Sequence, residues 1–219
     1  KPYRRLSKID DEILRSLPIA FDSELGFITA SPSNLGTGMR ASVMLFLPAL
    51  EWQGQMEIIY QSAKEEELTI RGIYGEGSRA KGSLYQISNQ GSLGYSEDEI
   101  IDKVSQFIYE VIEKEKRARE EILLQEYDKV KDKTLRAYGI LSNCHSLEED
   151  EMLSLLADVK FGASLEFLDI KDDKKFMKLF YEGAEANLKE IFDFFENKKE
   201  NILRAEYISK EVKNLVQRR

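Results

Sequence analysis

Two short stretches combine glycines with an arginine beside an apolar run: SPSNLGTGMRASVMLFLP at 31–48 and IRGIYGEGS at 70–78. Glycines tolerate positive φ and close backbone approach, so successive amides can point into one concavity. An arginine adds a planar fork of donors that matches phosphate oxygens. Either stretch alone reads equally well as an ordinary turn with a surface arginine. Two of them, with Arg40 and Arg71 about thirty residues apart, favour convergence on a polyanion, since an arginine set against an apolar strand needs a partner. Glu76 follows Arg71 by five residues and has three roles open to it: general base, metal ligand, or structural partner of an arginine. The order differs from the GxxxxGK[ST] phosphate loop, and no GxGxxG opens a helix after the first strand.

These residues need a scaffold. The stretches GFITA, ASVMLFLPAL, LTIRGIYG and GSLYQIS read as strands. ASVMLFLPAL is continuous enough to predict burial on both faces. IDDEILRSLPIAF reads as a short helix ending near Pro18, and QMEIIYQSAKEEE as a helix with Met56, Ile59, Tyr60 and Ala63 on one stripe. Beyond residue 95 the chain turns helical and charged. Ser96 and Glu99 form a capping box, followed by Ile100, Val104, Phe107, Ile108 and Val111 at helical spacing. EKEKRAREEILLQEYDKVKDK reads as a solvated helix, and Ser146 with Glu149 predicts a second capping box. Phe192, Phe194 and Phe195 read as bundle core before they read as a partner surface.

Composition sets the bounds. The first 95 residues hold 10 of the 13 glycines, and all four prolines precede residue 50. The pattern is an α+β half followed by a helical half, divided at 1–125 and 126–219. A net charge of −8 argues against general nucleic-acid binding, while a local anion site remains compatible. One cysteine, Cys144, rules out an internal disulfide and fits a reducing cytoplasm. One histidine, His145, argues against a histidine metal site or a Ser-His-acid triad and reads as a solvated turn residue. No apolar run nears the ~18 residues of a membrane span, and no stretch of the given sequence reads as a secretory leader. The chain opens on Lys1 in mid-stream, which predicts a fragment of a longer protein.

SPSNLGTGMRASVMLFLPAL, RGIYGEGS and YQISNQGSLGYSEDEII together resemble the ATP:guanido phosphotransferases, in the spelling of the bacterial protein-arginine kinase branch. RAYGILSNCHSLEEDEMLSLLADVKFG resembles the helical region that follows the core in that branch. The resemblance implies a mainly antiparallel curved sheet flanked by helices, then an all-α C-terminal domain. It implies transfer of a phosphoryl group from Mg·ATP (ATP and Mg2+) to the guanidinium of protein arginines. Nucleotide contacts carry over to Arg40, Ala41, Ser42, Val43 and Met44, and to Arg71, Gly72, Ile73, Tyr74, Gly75 and Glu76. Arg40 and Arg71 would clamp phosphates, and Glu76 would orient the guanidinium and help deprotonate it. Implied partners are protein substrates with exposed arginines, an activator protein, Clp-type protease machinery and a second copy in a homodimer. They act in a cytoplasmic stress pathway, with neither nucleic acid nor membrane.

Three departures accompany the resemblance. The family's upstream arginine-bearing strand and NEEDH-like acidic segment have no match in these residues. Ser31 stands where the superfamily usually has cysteine, which predicts tuning rather than loss. ENILRAEYI stands where an RDxxRA motif would read phosphoarginine. Glu200 and Asn201 replace its Arg and Asp, and Arg204 and Ala205 remain, which predicts a weak or absent regulatory pocket. A second reading is a catalytically incomplete nucleotide-binding adaptor that acts through its helical half. A kinase of free creatine or arginine fits less well, because that branch carries its helical domain before the core.

Overall fold

The computed structural model describes residues 2–72, 81–185, 187–188 and 200–219. Its centre is a three-stranded antiparallel sheet in the order β3-β5-β4, with β3 at Ser42–Phe46, β4 at Leu68–Gly72 and β5 at Leu84–Asn89. Side chains alternate along each strand, and the register sorts them cleanly. Tyr85 and Ile87 of β5, with Leu68 and Ile70 of β4 and Leu45 of β3, face a core shared with two helices. One is α3 (Met56–Glu65), which inserts Met56, Ile59 and Ala63. The other is α4 (Glu97–Gln125), which inserts Ile100, Val104, Phe107, Ile108 and Val111. The opposite face presents Ser42, Met44, Gln86, Ser88, Thr69 and Arg71.

The expectation that 41–50 is buried on both faces is corrected. Only Leu47–Leu50, past the strand end, are buried, whereas Val43 and Met44 are 42% and 47% exposed. An apolar run reports hydrophobicity but not whether a layer covers each face; α3 and α4 pack on one face of the sheet, and Ser42 and Met44 lie on the other. Before the sheet come α1 (Pro2–Ser16) and a small ribbon of β1 (Phe21–Asp22) with β2 (Gly26–Phe27). The helix thus starts earlier than the sequence suggested, and GFITA contributes only two strand residues.

After β3, α2 (Pro48–Trp52) has its first amides capped from a distance. Glu115 of α4 accepts from Ala49 N at 3.2 Å and Leu50 N at 3.0 Å, and also from Arg119 Nε at 2.8 Å. An acidic side chain suits the positive end of a helix. The segment expected as a solvated helix instead spans the end of α4 and the start of the next helix, with a break at Glu126, and it buries Glu115, Ala118, Ile122 and Val130. Ser96 and Glu99 make both halves of the expected capping box.

Further helices among the described residues are α5 (Tyr127–Asn143), α6 (Glu149–Ser164), α7 (Asp173–Glu182) and α8 (Glu200–Leu215). Leu141, Leu153, Leu156, Phe176, Leu179, Ile208 and Val212 pack them together. The helical half also carries a ribbon of β6 (Leu168–Ile170) with β7 (Val216–Arg218). Leu84 of the sheet joins this second core, and Val130, Phe161 and Phe167 join the first, so the two cores interlock. The second capping box does not form. The residue before α6 is Glu148, with no side-chain cap, and Glu149 instead turns toward Glu185 N and Arg204. His145 is exposed just past the end of α5, as expected. Phe192, Phe194 and Phe195 lie outside the described residues.

Candidate functional site

The polar face of the sheet gathers donors from all three strands. Arg40, just before β3, is exposed and donates from Nη2 to Ser88 Oγ at 3.1 Å. Gln86 Nε2 donates to Ser42 Oγ at 3.2 Å. In the register, Met44, Gln86 and Arg71 form one cross-strand row, and Ser42, Ser88 and Thr69 the next. Arg40 and Arg71, 31 positions apart in the sequence, thus reach the same face from opposite sides of β5. Among the described residues no carboxylate pairs with Arg40.

The loop that delivers Arg40 is held by backbone rather than side-chain packing. Phe27 N donates to Gly36 O at 2.8 Å, and Ser92 Oγ donates to Leu35 O at 2.8 Å. Gly36 has φ +104, and a Cβ there would lie 2.4 Å from Ser92 O; one at Gly26 would lie 2.4 Å from Gly36 O. Three backbone layers therefore stack at a spacing that only glycine permits. Asn89 closes the far end, accepting from Ala41 N at 2.8 Å and donating to Met39 O at 3.1 Å and Gly91 O at 2.9 Å. Ser31 is exposed at the mouth of this loop.

Of the residues expected in the site, Arg40, Ala41, Ser42, Val43, Met44, Arg71 and Gly72 lie on β3, on β4 or just before β3. Val43 points to the other face, and Gly72 is buried. Ile73, Tyr74, Gly75 and Glu76 lie outside the described residues. Sequence reasoning missed Gln86, Ser88 and Asn89. The signal was available in LYQISN, where polar Gln86 and Ser88 alternate with apolar Tyr85 and Ile87.

Chemically, the face is an array of hydrogen-bond donors with cationic ends, and it fits an anion of several oxygens. No group of three or more Asp, Glu, His or Cys able to hold a metal occurs among the described residues. A magnesium ion carried on nucleotide phosphates needs few protein ligands, so the donor set fits the nucleotide, and the metal would be held chiefly by its phosphates.

A third arginine has the opposite environment. Arg204 of α8 is 1% exposed. Its Nε donates to Gly183 O at 2.7 Å, and its Nη1 to Leu147 O at 3.0 Å and Asn201 Oδ1 at 2.7 Å. Nη2 pairs with Glu200, and Glu149 Oε2 lies 3.6 Å away. Ala205 beside it is fully buried.

Residues 1–118 match the family model of the ATP:guanido phosphotransferase C-terminal catalytic domain, and the chain belongs to that family. Residues 127–219 match the model of the protein-arginine kinase McsB C-terminal domain. The protein-arginine kinase of Clostridium acetobutylicum is 40% identical over 94% of this chain and 61% of its own length. That of Staphylococcus aureus is 42% identical over 78% of this chain and 51% of its own length. The chain spans about three fifths of the length of the first of these. A solved structure of the duplicated taurocyamine kinase from Schistosoma mansoni is 34% identical, with a TM-score of 0.43 over 52% of this chain and 15% of that one. No helix among the described residues is long and apolar enough to cross a membrane.

Proposed function

We propose that this chain is the nucleotide-clamping part and helical domain of a protein-arginine kinase, which moves the γ-phosphoryl group of Mg·ATP onto arginine side chains of proteins. The observation that carries the reading is the meeting of Arg40 and Arg71 on one polar sheet face, with Ser42, Gln86 and Ser88 between them. In this reading a guanidinium nitrogen of the substrate attacks the γ-phosphorus, the bond to the β-phosphate oxygen breaks, and ADP leaves. Arg40 and Arg71 stabilise the charge that spreads over the transferring oxygens. Glu76 orients the guanidinium and takes the proton that the nucleophilic nitrogen must lose. Ser88 acts through Arg40, holding its fork in place.

We divide the chain at 1–125 and 126–219, supported by the end of α4 at Gln125 and the start of α5 at Tyr127. The phosphoarginine pocket, expected from the altered RDxxRA stretch to be weak or absent, is closed in this reading, because Glu200 already occupies the guanidinium that a phosphate would need. The wider role is marking of proteins for quality control in a bacterial cytoplasm, by a homodimer working with an activator and Clp-type protease machinery. It rests on the resemblance alone, since the relatives' names say only that they are protein-arginine kinases.

The test is incubation of the complete protein with Mg·ATP and casein. Acid-labile phosphate on arginine is the expected product; nucleotide binding without that product would favour the adaptor reading.

A further inference from the structure

Ser88 and Asn89 are consecutive in β5, so their side chains leave the strand on opposite faces, yet both bear on the same arginine. Ser88 Oγ accepts from the tip of Arg40, at Nη2. Asn89 grips the backbone on either side of Arg40. Its Oδ1 accepts from Ala41 N at 2.8 Å, and its Nδ2 donates to Met39 O at 3.1 Å and Gly91 O at 2.9 Å. Both hydrogens of the side-chain amide are thereby used. One orientation of that amide satisfies the set, because the Ala41 N–H has to meet an oxygen and the two carbonyls have to meet the NH2 group. Asn89 N also donates to Ala41 O at 3.3 Å. In a regular antiparallel pair the return bond from Ala41 N would go to the main-chain carbonyl of Asn89. Here the side-chain carbonyl takes its place, one residue past the last ladder pair, Ser42 with Ser88.

This extension of the ladder sets the direction of Arg40. Met39 and Ala41 pack against the core on one side of the sheet, which leaves Arg40, between them, to the polar face. A slip of one residue would exchange those directions and carry the guanidinium away from Ser42 and Ser88. Regular pairing of β3 stops at Ser42, so the register at Arg40 is held by Asn89, through its amide side chain and its own N–H. The bond to Gly91 O ties the same amide to the turn whose Ser92 Oγ donates to Leu35 O and whose backbone lies against Gly36. Segment 89–92 thus holds the loop at both ends, at 35–36 and at 39–41. Resting on the reading of Arg40 as a nucleotide clamp, we propose that Asn89 is a positioning residue for phosphoryl transfer. It acts through Arg40, by fixing the stretch of backbone from which that arginine reaches the phosphates.

The experiment is a double-mutant cycle on the full-length protein, read by calorimetric titration with Mg2+ and a non-hydrolysable ATP analogue, and by urea denaturation. Asn89→Ala should weaken the analogue about tenfold where Arg40 is present, and less than about twofold in Arg40→Ala. The shift in urea midpoint should be the same in both backgrounds. A residue that only supports the fold would weaken the nucleotide by equal factors in both, and that result overturns the proposal. Asn89→Asp keeps the shape and the acceptor but turns an anion toward Met39 O and Gly91 O. It should weaken the analogue at least as much as Asn89→Ala, and undiminished affinity overturns the proposal too. Should Asn89→Ala not fold, amide exchange in the unaltered protein decides. The Ala41 N–H, bonded to Asn89 Oδ1, should exchange at least about tenfold more slowly than in an unstructured chain, and free exchange there overturns the proposal. If Arg40→Ala by itself leaves affinity for the analogue unchanged, the clamp reading is lost and the proposal with it. If Arg40→Ala weakens the analogue and Asn89→Ala acts equally in both backgrounds, the positioning role alone is lost.

Discussion

Arg40 and Arg204 are the same residue in opposite circumstances. Arg40 is exposed and holds one neutral hydroxyl, Ser88 Oγ, which leaves most of its fork available. Arg204 is buried and committed to two backbone carbonyls, one amide oxygen and two carboxylates. An arginine meant to receive a ligand must keep donors unspent and stay hydrated until the ligand arrives. One meant to hold a fold must spend them all, because a buried charge without partners is costly. In the proposed reading the contrast separates a binding from a structural arginine, and it fails if the two residues respond alike to removal.

The largest expected effect is on stability. Arg204→Met should strand the Glu200 carboxylate and the carbonyls of Gly183 and Leu147, costing about 3–5 kcal/mol, measured by urea denaturation. If the loss is under about 1 kcal/mol, Arg204 is not the hub described. Arg40→Ala should do the reverse. Stability moves by no more than about 0.5 kcal/mol, while phosphoryl transfer by the complete protein falls about 10²–10³-fold. Equal losses in both assays would erase the distinction.

Glu115 offers an intermediate case, a buried carboxylate whose partners are backbone amides and Arg119. Burial raises its carboxyl above the ordinary range, outweighing those partners. The folded state therefore holds the proton more tightly than the unfolded one. The contribution of Glu115 to stability is greatest in acid and declines as pH rises above the ordinary carboxylate value of 4.5, by at most about 1.4 kcal/mol per pH unit. The stability of the protein relative to Glu115→Gln should fall in that direction between pH 4 and 7 in matched denaturation curves. A rise would show that the amides and Arg119 dominate.

Smaller effects follow. Ser88→Ala should weaken ATP about two- to tenfold in KM with kcat little changed, because it removes one neutral hydrogen bond that aims Arg40. Free phosphoarginine should give no saturable heat in calorimetry at millimolar concentration. Tight binding that disappears in Arg204→Lys would show that Glu200 yields its place.

What was legible in the sequence follows from range. The Ser96–Glu99 box and the Met56, Ile59, Ala63 stripe are local, so spacing alone revealed them. LTIRG and LYQISN were legible as strands from their alternation, while their pairing is seen only in the sheet. Three features depended on distant parts of the chain and stayed hidden. Whether β3 is covered on one face or two is decided by which helices pack on the sheet. Ser146 looked like a cap until Glu149 was drawn to Arg204, 55 positions later. Ser88 meets Arg40 across 48 positions, and no periodicity encodes such a contact. The two arginines of the proposed clamp stood out because both stretches carry glycines, whereas the hydroxyl that holds one of them did not.

The stacked backbone at Gly26, Gly36 and Ser92 bears on how this loop can be redesigned. Where main chain lies directly on main chain, no side chain can be exchanged to adjust the fit, so positions 26 and 36 are closed to every other amino acid. Ser31, exposed and five residues from Gly36, is open. A library built on this loop should fix the two glycines and spend its diversity at 31. Whatever side chain stands there can change at the mouth of the loop while the path that carries Arg40 to the sheet stays the same.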